Sequence, residues 1–149
     1  VVAVNPESDI YHLQDLAGKT LAVQSTTKPE GIFLRRNDPR IPKLQNLLSM
    51  GNRALIYTLL GKGYADAVGE HETSILQYMK GYDMEYRILP ELLMTVGIGV
   101  AFDKEDRRSL CRELDKTLRE VRQDGTSERI IGKYLENPKQ YLEVEKLAY

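Results

Sequence analysis

Short β-branched apolar runs alternate with stretches of helical period along this chain, and that alternation constrains the fold more than any single residue. Val1 to Val4 is a strand-like run stopped by Asn5-Pro6. Leu13, Leu16 and a turn at Ala17-Gly18-Lys19 lead into a second strand, Thr20 to Val23. The polar cluster Gln24 to Lys28 precedes a helix over Pro29–Arg36, because proline suits a first helical turn, and Asn37 to Pro42 breaks that helix. Leu55, Ile56, Leu59 and Leu60 form the stripe of a short amphipathic helix ended by Gly61 and Gly63. A strand over Tyr64–Val68, a helix from Thr73 to Met79 closed by Gly81, and a strand over Glu85–Leu89 complete the first part. The order strand, helix, helix, strand, helix, strand predicts an α/β fold with a largely parallel sheet.

The remainder reads differently. Val96 to Phe102 alternates large residues with Gly97, Gly99 and Ala101, the pattern of a buried crossing strand with one small face. Lys104 to Gln123 is the longest predicted helix, striped by Leu110, Leu114, Leu118 and Val121 and capped by Asp124-Gly125. Ser127 is the expected N-cap of a last helix through Leu135, ended by Asn137-Pro138. The chain thus closes on C-terminal helices.

Composition narrows the function classes. The 21 Lys and Arg against 22 Asp and Glu give a net charge of −1, which argues against a broad phosphate-binding surface and against nucleic acid as a partner. Cys111 is the only cysteine, too few for an intrachain disulfide or a four-Cys metal site. Next to the Leu110 stripe, it reads as a buried or half-buried inert thiol. Apolar runs fall far short of the ~20 residues that span a bilayer.

Two loops fall where an α/β sheet binds ligands, outside the carboxyl ends of its strands. Ser25-Thr26-Thr27 follows the second strand and opens a helix. Three hydroxyls with the free N–H groups of a helix start fit a cradle for a carboxylate, and they equally fit plain N-capping. Glu70-His71-Glu72 follows the strand ending at Val68 and could bind an amine, move a proton or simply cap a solvated helix. A metal site is not expected, since His12 is the only other histidine and no paired His spacing exists. Gly61-Lys62-Gly63 follows a helix and lacks the spacing of a phosphate loop. The paired charges Arg35-Arg36 and Arg107-Arg108 read as solvated helix surface. No nucleophile elbow is present, so the residues do not describe an enzyme, and no cofactor is implied.

Asp15 to Thr27, reading DLAGKTLAVQSTT, resembles the DLxGKxVxVxxGTT stretch of bacterial family 3 extracellular solute-binding proteins, the polar amino-acid receptors of ABC transporters. Leu60 to Val68 is similar to their LxxGxxDAVV segment. Gly97 to Phe102, with Leu110, Leu114, Leu118, Asp124-Gly125 and Ile130 to Tyr134, resembles their C-terminal pattern. The same module forms the input domain of some sensor kinases and cyclases.

The resemblance implies a periplasmic-binding-protein-like (type II) lobe, a two-lobed flytrap in which ligand shifts the population toward closure. It places residues 5–95 in lobe two, residues 1–4 and 96–102 as hinge-crossing strands, and residues 103–149 as returning helices of lobe one. It also implies a lobe-one segment ahead of Val1 that carries a carboxylate-binding arginine. Ser25, Thr26 and Thr27 stand at the loop that holds the ligand carboxylate, with Ser25 in place of glycine. The position of the family's amine-binding acid is His71, flanked by Glu70 and Glu72, so the amine contact would pass to one of those glutamates or be absent. The expected function is extracytoplasmic binding of an amino acid or related carboxylate. The expected partners are a membrane permease or a fused signalling domain, and the expected location is periplasmic or extracellular, with membrane tethering in the full-length protein. The alternative is a non-binding lobe that associates with a second copy through the uncovered face of the Leu110–Val121 helix.

Overall fold

The structure is a computed structural model that describes residues 1–105 and 109–142. It divides into two compact units, Val1–Met94 and Thr95–Tyr149. The first unit is built on a five-stranded sheet of β1 (Val2–Val4), β2 (Thr20–Gln24), β3 (Asn46–Met50), β4 (Ala67–Gly69) and β5 (Arg87–Ile88). Its strand order is β3-β2-β4-β1-β5. β2 runs parallel to both β3 and β4, whereas β1 is antiparallel to both β4 and β5. The α/β reading holds, and the sheet is mixed, with a parallel core of three adjacent strands.

Side chains alternate between two faces, and each face has its own core. Val2, Val4, Leu21, Val23 and Ala67 pack with Phe33 of α1 (Lys28–Arg35) and with Ile10, Leu13 and Leu16. Ala3, Ala22 and Val68 face the other way. They pack against Ile56, Tyr57 and Leu60 of α2 (Arg53–Gly61) and Ile75 of α3 (Glu72–Tyr82). Burial on both faces explains why β1 and the middle of β2 read as continuous apolar runs.

The turn into β2 depends on two residues read from sequence. Gly18 takes φ +69°, which glycine adopts without a Cβ clash. Asp15 closes the preceding 3₁₀ turn, Leu13–Leu16, by accepting from the backbone N–H groups of Tyr11 and His12, both at 2.9 Å. Those two bonds hold its carboxyl below the ordinary carboxylate value. A depressed folded-state pKa contributes stability above the unfolded value and loses it as pH falls through the folded one. Asp15→Ala should therefore lower the melting temperature at pH 7, and the gap to the parent should narrow as pH falls below about 4.

Several sequence expectations need correction. β3 had no counterpart in the sequence reading. The strand expected over Tyr64–Val68 lies at Ala67–Gly69, because Tyr64 and Ala65 turn back to donate to Leu59 O at 2.9 and 3.2 Å. Asp66 then fixes the strand's entry, donating to Thr20 O and accepting from Thr20 N–H at 2.7 Å. α3 runs through Gly81 and ends at Asp83, which takes the left-handed conformation at φ 52°. Residues 96–102 are not a strand: no described strand pairs with them, and Ile98 is fully exposed.

In the second unit, α4 (Leu110–Gln123) packs on α5 (Thr126–Ile131), and Gly125 at φ +79° takes the N-cap position expected of Ser127. Asn137-Pro138 opens a 3₁₀ turn, Pro138–Tyr141, where a helix end was expected. No residue of α4 is buried, so its leucine stripe has a sequence signature without a covered face. Cys111 is exposed, contrary to the expected burial, because it points from a helix none of whose faces is enclosed. The long helix expected from Lys104 begins only at Leu110: Lys104 and Glu105 form a turn and Ser109, at φ 57°, is the N-cap, while residues 106–108, with Arg107-Arg108, and residues 143–149 of the tail lie outside the described residues. No helix among the described residues is long and apolar enough to cross a membrane.

Candidate functional site

Parallel pairing brings three strand ends to one edge of the first unit. Val23 of β2 stands opposite Gly69 of β4, and Gln24 opposite Met50 of β3. The chain therefore leaves β3, β2 and β4 side by side and enters α2, α1 and α3. Their N-caps are Asn52, Thr27 and His71. Three helix starts turn unpaired N–H groups and positive dipole ends toward this edge, which favours an anion. The two candidate loops, Ser25-Thr26-Thr27 and Glu70-His71-Glu72, are neighbours there.

The hydroxyl loop is tightly organised. Thr27 caps α1, its hydroxyl donating to Gln24 O at 2.6 Å and accepting from Glu30 N–H at 3.5 Å. Thr26 takes φ 61°, a strained conformation for a β-branched residue, and its hydroxyl donates to Ser25 O at 2.6 Å. Ser25 N–H donates to Met50 O at 2.9 Å, tying the loop to β3. Glu30 reaches back over the helix start, accepting from Thr26 N–H at 2.7 Å and from the Ser49 hydroxyl. Pro29 has no N–H to offer. Among the described residues nothing accepts from the N–H groups of Thr27 and Lys28, and the Ser25 hydroxyl has no partner. The cradle that remains open is two backbone donors and one hydroxyl.

The acidic loop divides its labour unequally. Glu70 is fully buried and does not face solvent as a helix-capping acid would. Its Oε1 accepts from His71 N–H at 2.7 Å, and its Oε2 lies 3.2 Å from Arg53 Nε. His71 holds the N-cap position of α3 without a side-chain bond, and Glu72 begins the helix, both half-buried. Arg53 Nε donates its hydrogen bond to Gln24 Oε1 at 2.9 Å, so its contact with Glu70 Oε2 is an ion pair and that buried oxygen has no hydrogen bond. The guanidinium thus reaches from the end of β3 across the end of β2 to the end of β4. Sequence reasoning missed Arg53, Gln24, Ser49 and Glu30. Asn52 ahead of the Leu55–Leu60 stripe was an available N-cap signal that would have placed Arg53 in a first helical turn.

Among the described residues no group of three or more His, Cys, Asp and Glu is placed to hold a metal ion. No family model matches the chain. Over 144 aligned residues it is 32% identical to the histidine-binding periplasmic proteins of Escherichia coli K12 and Salmonella typhimurium LT2, covering 91% of this chain and 53% of theirs. The chain is a homologue of these periplasmic binding proteins. It spans about half the length of the curated relatives it matches.

Solved structures agree on the fold. A probable amino-acid ABC transporter extracellular-binding protein from Bacillus subtilis superposes with a TM-score of 0.74 at 20% identity, over 91% of this chain and 59% of that one. An ancestral arginine-binding protein bound to arginine superposes with a TM-score of 0.69 at 26% identity, over 90% of this chain and 58% of that one. In this chain DLAGK spans the end of the 3₁₀ turn and the entry to β2, and DAV leads into β4.

Proposed function

We propose that this chain is part of an extracytoplasmic amino-acid-binding protein that serves an ABC transporter, and that the carboxyl edge of β3, β2 and β4 grips the ligand. The observation that carries this reading is the unclaimed donor set at the start of α1: Thr27 N–H, Lys28 N–H and the Ser25 hydroxyl. Such a set suits a carboxylate because the donors are fixed by the loop and backed by a helix dipole. The homology to periplasmic binding proteins supports a periplasmic location and a binding role without catalysis. In this reading residues 5–95 are the ligand-gripping lobe, residues 1–4 and 96–102 its connections, and residues 103–149 part of the companion lobe.

Each candidate residue of the edge then has a distinct part. Ser25, Thr26 and Thr27 hold the ligand carboxylate, Thr26 by fixing the loop since Glu30 takes its N–H. Glu70 is engaged by Arg53, which leaves Glu72 as the acid for a ligand ammonium, with His71 beside it. A calorimetric titration of the natural gene product that carries this chain, with L-histidine, L-arginine, L-glutamine and L-glutamate, tests the proposal. At least one should bind, and Thr27→Ala should weaken it about tenfold, the worth of one good cap and its preorganised donors. If none binds, or if Thr27→Ala leaves affinity unchanged, the proposal fails.

A further inference from the structure

We infer that Arg53 is a ligand-binding residue that selects for a second carboxylate, so that the favoured ligand is an acidic amino acid. This inference rests on the proposed ligand grip at the same edge. Arg53 is 48% exposed, while the Glu70 side chain against it is 0% exposed. A buried carboxylate is costly unless it is paired and hydrogen-bonded, and a single guanidinium nitrogen, Nε, supplies the pairing here. The same Nε donates its one hydrogen to Gln24 Oε1, so a hydrogen bond to β2 and an ion pair with Glu70, just past β4, fix one edge of the guanidinium, while Glu70 Oε2 is itself buried without a hydrogen bond. Among the described residues neither Nη1 nor Nη2 has a hydrogen bond. Nη1 and Nη2 are the pair that grips a carboxylate bidentately, and guanidinium is always charged at working pH.

The placement matches the remaining donors. Arg53 lies across the end of β2, the strand from which the Ser25–Thr27 loop leaves. Adjacent strands are spaced about 4.8 Å apart, so one ligand of a few carbons can span the two donor sets. One carboxylate then sits on the Thr27 and Lys28 N–H groups and the other on Arg53. Of the acids at the sheet edge, Glu70 is paired with Arg53 and Glu30 is held by Thr26 N–H and Ser49. Glu72 remains for the ammonium. An amide in place of the second carboxylate would lose the charge-assisted pair and present an NH₂ group to a cation.

The test compares L-glutamate with its near-isostere L-glutamine by calorimetry on the natural gene product. The unaltered protein should prefer glutamate by about tenfold or more, the size of one charge-assisted hydrogen-bond pair. The double variant Arg53→Gln/Glu70→Gln removes both charges together and so leaves no buried carboxylate unpaired. It should keep its fold by circular dichroism, lose the preference and still bind glutamine. Equal or tighter binding of glutamine by the unaltered protein overturns the role of Arg53 while leaving the amino-acid grip intact. So does a glutamate preference that survives in the double variant. Failure to bind any amino acid overturns both.

Discussion

Arg53→Ala should destabilise the protein by about 3 kcal/mol, because it strands a carboxylate that has no solvent exposure. Glu70 would keep its hydrogen bond from His71 N–H but lose the guanidinium charge beside its Oε2, and a buried ion with one bond and no counter-charge there is far from compensated. The reverse change is gentler. Glu70→Gln should cost about 1 kcal/mol, since the half-exposed Arg53 can be hydrated and keeps its bond to Gln24. The double change Arg53→Gln/Glu70→Gln should then fall well short of the sum of its parts, because the stranded charge is gone. Urea unfolding of the single variants and the double variant measures all three values. If Glu70→Gln costs as much as Arg53→Ala, the pair is not the asymmetric buried ion pair described.

Gly69→Ala should cost about 1–3 kcal/mol through overpacking. A Cβ built on Gly69 would meet Phe33 Cε2 at 2.9 Å and Val23 Cγ1 at 3.1 Å. Neither neighbour has room to yield, since Phe33 is 2% exposed and Val23 is 0% exposed. The residue lies at the end of β4, directly before Glu70, so the strain would bear on the same edge that positions Arg53. Phe33→Leu added to Gly69→Ala should recover part of the loss by shortening the side chain that clashes. A neutral Gly69→Ala in the same unfolding experiment would contradict the close contact between α1 and β4.

Much of the first unit was legible in the residues. The turn glycine Gly18, the β2 run and Pro29 at a helix start are local signals, and each acts where it stands. β3 escaped notice for a physical reason. Asn46 to Met50 contains no β-branched residue, and it is an edge strand, half-covered, with no buried apolar run to mark it. Losing β3 also hid Arg53, whose role depends on three strand ends meeting and on no spacing within one segment. The burial of Glu70 was invisible for the same reason, since Glu70-His71-Glu72 looks like a solvated helix start. Residues 96–102 show the converse error: their alternation is genuine, but period 2 makes a strand only where backbone partners exist. The leucine stripe of α4 likewise predicts an apolar face without saying what covers it.

The central claim is that ligand is gripped at the shared carboxyl edge of β3, β2 and β4. Amide hydrogen exchange of the natural gene product with and without L-glutamate locates the grip directly, because bound amides open less often. Protection should concentrate at Ser25–Glu30, around Arg53 and at His71–Ser74, with the rest of this sheet little changed. Glutamate-dependent protection that leaves these segments untouched and falls elsewhere on Val1–Met94 would contradict the claim.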